Sequence, residues 1–316
     1  MSDQPLIIAQ QFSVASKLRA AVLLLRPQQW VKNSFLFAPL IFSKHLFEEG
    51  YFFTELLAVA AFCLLSSSVY ALNDIADRQA DRDHPIKKNR PVASGILSAS
   101  QAALIASVVF ALAVVVSANL SLKFQLAAGL YFVLNIGYSF WLKQVMLVDI
   151  FVIAAGFMLR VLAGAFAIDV KVSHWLVLCT LFVSLFLAAS KRRGEILLIH
   201  SSTGSSSRPV LKEYDIAFLD QILTVVASGM AISYALYTVA DRTVRIFGSE
   251  NLIFTTVFVL FGIFRYLYVM RRTKVEDNPT FLLLRDPIML LNITAWFVAC
   301  VVVIYFNELT MWMSMP

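Results

Sequence analysis

Four oxygen-bearing side chains recur within nine residues and could bind a metal ion together: Asn73, Asp74, Asp77 and Asp81. On a helix that turns about 100° per residue, the three aspartates fall within an arc of about 60°, and Asn73 widens it to about 100°. Clustered carboxylates repel one another unless a cation neutralises them. Oxygen ligands without histidine or cysteine favour a hard ion, and Mg²⁺ typically joins a few carboxylates to substrate phosphates. The pattern therefore predicts that these four residues bind Mg²⁺ and that the three aspartates are catalytic.

Basic side chains follow the acids within ten residues, at Lys87, Lys88 and Arg90. Arginine offers phosphate oxygens a planar pair of donors, and lysine offers a point charge. Acids for Mg²⁺ followed by cations for phosphate are what a magnesium-phosphate substrate requires, so Lys87 and Arg90 are selected as substrate-binding residues. The alternative is a solvated helix end at which the aspartates pair with Arg78 and Arg82.

Further polar side chains recur at the ends of apolar segments and would surround one cavity at a single membrane surface. Lys191 is selected as a catalytic candidate. The substrate-binding candidates are Gln29, Lys32, Asn33, Tyr138, Lys143, Asp149, Arg192 and Glu195. Lys191 and Glu195 lie four residues apart, so their opposite charges also suggest a helical pair.

Arg160 lies in the middle of an apolar segment. A charge at such a position costs several kcal/mol unless it is paired or hydrated. Arg160 is therefore another substrate-binding candidate. The alternatives are snorkelling toward the membrane surface and a structural bridge to Asp149.

The composition indicates which elements must position these residues. Of the 316 residues, 59% are apolar and only 15% are charged, and the mean hydropathy is +0.77. Soluble chains have about 45–50% apolar and about 25% charged residues, so a soluble domain, a disordered chain and a disulfide scaffold are excluded. Because a membrane-spanning helix needs roughly 20 apolar residues, the sequence predicts an all-α polytopic membrane protein with about nine spans. We expect one domain over residues 1–316, with spans at 33–47, 51–72, 99–118, 123–142, 146–167, 174–190, 217–240, 252–270 and 287–306. Because the first window is short, its helix is expected to begin earlier, near Trp30 or within the amphipathic stretch Ser16–Arg26, which could also lie along the membrane interface.

The basic residues predict the orientation of these spans. With the N-terminus in the cytoplasm, the cytoplasmic segments contain nineteen lysine and arginine residues and the outer segments contain five. Because positive charge is retained on the cytoplasmic side, we expect a multi-pass plasma-membrane protein whose N-terminus and central cavity face the cytoplasm. The net charge of +6 is typical of loops that face anionic lipid, and nucleic acid is not an expected partner.

Several sequence blocks resemble a known family. The pattern NDxxDxxxD at residues 73–81, which runs into DRxHPxKxxRPxASG, resembles the first aspartate-rich motif of the UbiA superfamily of intramembrane prenyltransferases. RPQQWVKN (26–33), YSFWLKQVMLVDI (138–150), GFMLRVLAGA (156–165) and SLFLAASKRRGE (184–195) resemble its decaprenyl-phosphate phosphoribosyltransferase branch. The second aspartate-rich motif typical of the superfamily is replaced by the basic block SKRRGE at residues 190–195.

The resemblance implies a nine-helix fold and the transfer of 5-phosphoribose from 5-phosphoribosyl 1-diphosphate to a polyprenyl phosphate, with release of diphosphate. It implies that Mg²⁺ on the four residues from Asn73 to Asp81 holds the sugar diphosphate, and that cations surround the phosphates: Lys87, Arg90, Lys143, Lys191 and Arg192. Two alternatives stay open, a prenyltransferase that joins an isoprenoid diphosphate to an aromatic acceptor, and a transporter without chemistry. A homo-oligomer is also left open.

Overall fold

The computed structural model describes residues 13–84, 86–201, 209–272 and 285–306, and every regular element in those ranges is helical. The α-helices of this part of the chain are α1 (Val14–Leu25), α2 (Phe37–Phe42), α3 (Tyr51–Ala76), α4 (Arg78–Arg82), α5 (Ala99–Ser117), α6 (Leu122–Phe140), α7 (Val148–Ala167), α8 (His174–Ser201), α9 (Ile216–Val239), α10 (Asp241–Phe247), α11 (Thr256–Arg272) and α12 (Pro287–Ile304). Short 3₁₀ helices lie at Pro27–Leu36, Lys87–Asn89, Leu142–Gln144, Pro209–Lys212 and Asn251–Thr255.

Side-chain caps define where several long helices begin. Ser98 and Gln101 form a reciprocal capping box at the start of α5. Ser121 accepts a hydrogen bond from the backbone of Phe124 at the start of α6, and Asp286 accepts one from Met289 at the start of α12. Such caps satisfy backbone N–H groups that have no partner inside the helix, so these starts are encoded locally.

Seven helices in the described ranges are long and apolar enough to cross a membrane: α3, α5, α7, α8, α9, α11 with its preceding 3₁₀ turn, and α12. They match seven of the predicted spans. Helix α6 lies at an eighth, at residues 123–142, but it is not among the seven, and Lys123, Gln125 and Asn135 interrupt its apolar residues.

The first predicted span, residues 33–47, is not one continuous helix. The backbone of Arg26 has a left-handed conformation with φ 51°, which ends α1, and the 3₁₀ helix Pro27–Leu36 and the six-residue α2 follow. The prediction of a single helical span at this position is therefore wrong.

Two more predicted boundaries differ from the structure. Helix α3 ends at Ala76, so Asp77 is its C-cap and Asp81 belongs to the short helix α4, and the acids do not project from one uninterrupted helix. Helix α8 continues beyond Ser190 to Ser201. Its polar extension stays helical because Arg192 and Glu195 are buried against protein.

Helix α7 is the central helix. It packs against α3, α6, α8, α2 and the 3₁₀ helix Pro27–Leu36. One buried core forms where α3, α5, α6 and α7 meet, and a second where α7, α8, α9 and α11 meet. A Cβ atom on Gly164 would lie 2.2 Å from the carbonyl oxygen of Leu36. Only glycine permits this close approach, which fixes the 3₁₀ helix against α7.

Candidate active site

Two buried carboxylates share one arginine at the end of α3. The Nη1 atom of Arg90 lies 3.3 Å from Oδ1 of Asp74 and donates at 2.6 Å to Oδ2 of Asp81. Arg26 makes a second ion pair with Asp74. Asp74 is 1% exposed and Asp81 is 4% exposed. These two buried acids therefore converge on one guanidinium, that of Arg90, whose side chain is 25% exposed.

Asp77 is held by a different cation. Its Oδ1 atom forms an ion pair with Lys143, which the 3₁₀ helix Leu142–Gln144 positions. Its Oδ2 atom accepts a hydrogen bond from Asn73 at 3.2 Å, and Asn73 in turn accepts one from Ser139 at 3.1 Å. We refer to Asp74, Asp77 and Asp81 as the carboxylate cluster.

The carboxylate cluster fits a hard divalent cation in donor chemistry, because its side chains offer only oxygen atoms. The positions of Asp74 and Asp81 also suit a bound cation, because both carboxylates already face the positive charge of Arg90. Asp77 points to Lys143 instead, and no three acidic, histidine or cysteine side chains in the described ranges lie together as a metal site would require. Asn73 and the three aspartates thus stay predicted Mg²⁺ ligands.

The alternative in which the aspartates pair with Arg78 and Arg82 is wrong within the described ranges, where their ion-pair partners are Arg26, Arg90 and Lys143. The Nε atom of Arg82 donates to the carbonyl of Ala93 at 3.1 Å. Two of the cluster's three cationic partners come from distant parts of the chain, since Arg26 precedes Asp74 by 48 residues and Lys143 follows Asp77 by 66. The third, Arg90, follows Asp81 by nine residues.

A second buried cluster joins α6, α7 and α8. Arg192, which is 0% exposed, forms ion pairs with Asp149 and Glu195 and donates to the hydroxyl of Tyr138 at 2.7 Å. All four residues are substrate-binding candidates predicted from the sequence, and the structure brings them together. They form a packed ion-pair cluster in which protein atoms already use all three guanidinium nitrogens of Arg192.

Tyr214 completes this group and was missed. Its hydroxyl donates to Asp149 at 2.6 Å and accepts from the backbone N–H of Leu147 at 2.7 Å. Burial and the bond to Asp149 raise the pKa of Tyr214, so its hydroxyl stays protonated and keeps donating. We refer to Tyr138, Asp149, Arg192, Glu195 and Tyr214 as the Arg192 cluster. It fixes both ends of the segment that contains Lys143.

Arg160 has neutral partners and is 4% exposed. It donates to Oδ1 of Asn33 at 2.8 Å, to the hydroxyl of Tyr131 at 2.8 Å and to the carbonyl of Gly156 at 2.9 Å. Its guanidinium also lies 4.6 Å from the centroid of the Tyr131 ring, within cation–π range. The alternative of a bridge to Asp149 is wrong, because that acid pairs with Arg192.

Lys32 lies near Arg160 and is partly buried. The charges of Arg160 and Arg26 both act on it, and Lys32 has no hydrogen bond or ion pair within the described part of the chain. We refer to Lys32, Asn33, Tyr131 and Arg160 as the basic pocket.

The remaining predicted residues lie around these groups. Gln29 is partly buried on the same 3₁₀ helix as Lys32. Lys87 is partly buried in the 3₁₀ helix that leads to Arg90. Lys191 is partly buried on α8, one residue before Arg192. Their roles stay predictions.

Weak sequence signals existed for some residues that were not selected. Tyr131 lies seven residues before Tyr138, which places both on one face of α6. Arg26 is the first residue of RPQQWVKN, one of the blocks that resemble the family. Tyr214 lies in a polar loop without periodicity and had no such signal.

The sequence profile of the UbiA prenyltransferase family matches residues 36–284. The chain belongs to this family. A solved UbiA homologue from Archaeoglobus fulgidus bound to GPP and Mg²⁺ superposes with a TM-score of 0.66 at 18% identity, over 89% of this chain and 99% of the homologue. The same homologue bound to DMAPP and Mg²⁺ gives a TM-score of 0.67 at 19% identity. At this identity, the likeness shows that the chain has the UbiA fold.

Three curated relatives of this UbiA chain have the same name, decaprenyl-phosphate phosphoribosyltransferase. The protein from Mycolicibacterium smegmatis is 31% identical over 89% of this chain and 91% of its own length. The one from Corynebacterium glutamicum is 38% identical over 67% of this chain, a region that covers 65% of that relative. The one from Mycobacterium tuberculosis strain H37Rv is 32% identical over 71% of this chain and 75% of its own length.

Proposed function

We propose that this UbiA chain transfers 5-phosphoribose from 5-phosphoribosyl 1-diphosphate to a polyprenyl phosphate and releases diphosphate. The observation that supports this most is the charge pattern. The carboxylate cluster is matched by Arg26, Arg90 and Lys143, and the nearby basic pocket contains two cations without an acidic partner in the described ranges. A site with spare positive charge suits a reaction in which both substrates contain phosphate.

The reaction replaces one bond at C1 of the ribose. An oxygen of the lipid phosphate forms a bond to C1, and the bond from C1 to the diphosphate oxygen breaks with its electron pair leaving on diphosphate. The attacking phosphate is already ionised at neutral pH, because the second pKa of a phosphate monoester is about 6, so no general base is required.

Each group of residues has a defined role in this proposal. Asp74, Asp77 and Asp81, with Asn73, would hold Mg²⁺, which when bound neutralises charge on the leaving diphosphate. Arg90 and Lys143 orient the phosphate oxygens and keep the two anionic substrates from repelling each other. The Arg192 cluster keeps the segment with Lys143 in place.

We also propose that the chain crosses the plasma membrane nine times, with its N-terminus and cavity on the cytoplasmic side. Helix α6 and the segment from α1 to α2 would supply the two crossings beyond the seven. The distribution of basic residues supports this orientation, because nineteen fall on the proposed cytoplasmic side and five on the other.

A transfer assay tests the proposed function. The purified protein is reconstituted in liposomes with decaprenyl phosphate and with 5-phosphoribosyl 1-diphosphate labelled in the ribose. We expect label in the lipid fraction when Mg²⁺ is present and none when it is chelated. Absence of labelled lipid, together with prenylation of an aromatic acceptor from an isoprenoid diphosphate, would favour the prenyltransferase alternative. Solute uptake without any product would favour a transporter.

A further inference from the structure

The basic pocket has a charge that the protein leaves unbalanced. Within the described ranges, Arg160 bonds only to neutral groups and Lys32 has no hydrogen bond or ion pair. Their positive charges also act on each other. Buried charges in proteins are normally paired, and two like charges at a buried site are costly. The pocket therefore suits an anionic ligand.

The basic pocket lies deeper along the helices than the carboxylate cluster. Asn33 donates to Ser66 of α3 at 3.4 Å, and Ser66 precedes Asp74 by eight residues, or about 12 Å of helix. On α7, Arg160 follows Asp149 by eleven residues, or about 16 Å. Helix α3 thus places the pocket about two turns from Asp74 of the carboxylate cluster, and α7 places Arg160 about three turns from Asp149 of the Arg192 cluster.

The surroundings of the pocket are aromatic. The ring of Phe157 lies 5.3 Å from the guanidinium of Arg160 and packs edge-on against Phe35 at 5.0 Å between centroids. A phosphate on an apolar chain would find a cation and an apolar wall together here. A water-soluble donor with phosphate at both ends needs polar contacts along its length, as the carboxylate cluster provides.

We propose that Lys32 and Arg160 bind the phosphate of the lipid acceptor, separately from the carboxylate cluster that takes the donor diphosphate. This assignment rests on the proposed function and specifies which substrate each group of residues binds. Arg26 connects the two sites, because it pairs with Asp74 and its charge also reaches Lys32. The reacting atoms would meet between them.

The test compares binding of farnesyl phosphate with binding of farnesol, which has the same chain without the phosphate, by native mass spectrometry. We expect the wild type to prefer farnesyl phosphate, and Lys32→Met to weaken its binding about tenfold, a change of about 1.4 kcal/mol, without affecting farnesol. Lys123→Met is the matched control, because Lys123 is exposed and pairs with Asp169 at 3.3 Å elsewhere on the surface. The preference of Lys123→Met for farnesyl phosphate over farnesol should equal that of the wild type.

A second measurement separates the lipid phosphate from the donor phosphates. Titration calorimetry of 5-phosphoribosyl 1-diphosphate with Mg²⁺ should give the same affinity for the wild type and for Lys32→Met. Loss of donor binding with an intact preference for farnesyl phosphate would overturn the assignment, and so would an unchanged preference in Lys32→Met. Failure of the proposed function is a different result, absence of labelled lipid from the wild type in the transfer assay.

Discussion

The carboxylate cluster and the basic pocket are both polar and largely buried, but their charges are balanced in different ways. Every acid of the cluster has a cationic partner, and Arg90 serves two of them. In the basic pocket, Arg160 contacts an amide, a hydroxyl and a carbonyl, and Lys32 contacts no acid in the described ranges. The cluster is internally neutralised, whereas the pocket is cationic.

This difference separates two tasks that the proposed reaction requires. A neutralised group of acids can exchange its cations for Mg²⁺ and a diphosphate with little change in net charge. A cationic pocket gains most from a single anion, since the interaction is strong where water is excluded. One helical fold can therefore bind two phosphate substrates at two separate groups of charged side chains.

The largest expected effect comes from the carboxylate cluster. Asp77→Asn removes the negative charge that pairs with Lys143 and leaves the side chain close to its original size. We expect turnover to fall by at least ~100-fold, the usual scale for loss of one preorganised electrostatic contact, while lipid binding in the basic pocket is retained.

Asp83→Asn is the control for that variant, because Asp83 is an exposed acid that follows α4. It should retain turnover within about twofold, as surface substitutions usually do. Wild-type turnover in Asp77→Asn, measured on correctly folded protein, would remove the cluster from the mechanism.

A smaller effect is expected when the basic pocket alone is displaced. Gly164→Ala places a Cβ atom against the carbonyl of Leu36 and 2.7 Å from Oε1 of Glu55. The Glu55 side chain must shift, and the 3₁₀ helix Pro27–Leu36, with Asn33, would be pushed away from α7. We expect farnesyl phosphate to bind about tenfold more weakly, because small misplacements of a binding group are costly. Donor binding should stay unchanged.

Gly129→Ala is the matched substitution, because no atom lies within 4 Å of the added Cβ there. Both affinities should resemble those of the wild type in this variant. If Gly164→Ala weakened donor and lipid binding equally, the two regions would not be separable.

The smallest effect is expected at the Arg192 cluster. Tyr214→Phe removes the hydroxyl that donates to Asp149 and accepts from Leu147. A net hydrogen bond contributes about 1 kcal/mol, so the unfolding free energy should fall by roughly that amount per bond. Turnover should fall a few-fold with KM for the lipid unchanged, because the segment with Lys143 loosens while the basic pocket does not. Because its pKa is raised, the Tyr214 hydroxyl stays protonated between pH 6 and 9 in the wild type. The pH profile of turnover in Tyr214→Phe should therefore keep the shape of the wild-type profile over this range.

Tyr268→Phe serves as the comparison, because Tyr268 is exposed on α11. Thermal unfolding in detergent and steady-state kinetics measure both variants. Equal behaviour of the two would show that Tyr214 does not position the site.

The sequence predicts those features that depend on local pattern. Apolar windows located seven spans, since each crossing requires a long run of apolar residues. Helical spacing placed the aspartates near one another, and four blocks pointed to the family that the comparisons confirm. The family resemblance and the acid-rich motif selected Asp74, Asp81 and Arg90, which the structure brings together at the end of α3, but they did not select Arg26.

Other features depend on contacts between distant residues and could not be predicted. Nothing in the chain before Asp74 indicates that Arg26, 48 residues earlier, is its partner. The 3₁₀ helix at Pro27–Leu36 depends on close packing against Gly164, which is visible only in three dimensions. Tyr214 was missed because a single hydroxyl in a polar loop has no pattern.

Donor binding as a function of divalent ion tests the central claim most directly. Calorimetry measures the affinity of 5-phosphoribosyl 1-diphosphate for the wild type and for a variant with Asp74, Asp77 and Asp81 all replaced by Asn. We expect tight binding to the wild type only with Mg²⁺, and equally weak binding to the variant with or without it. Mg²⁺-independent binding to the wild type, or full Mg²⁺-dependent binding to the variant, would contradict the role of these acids.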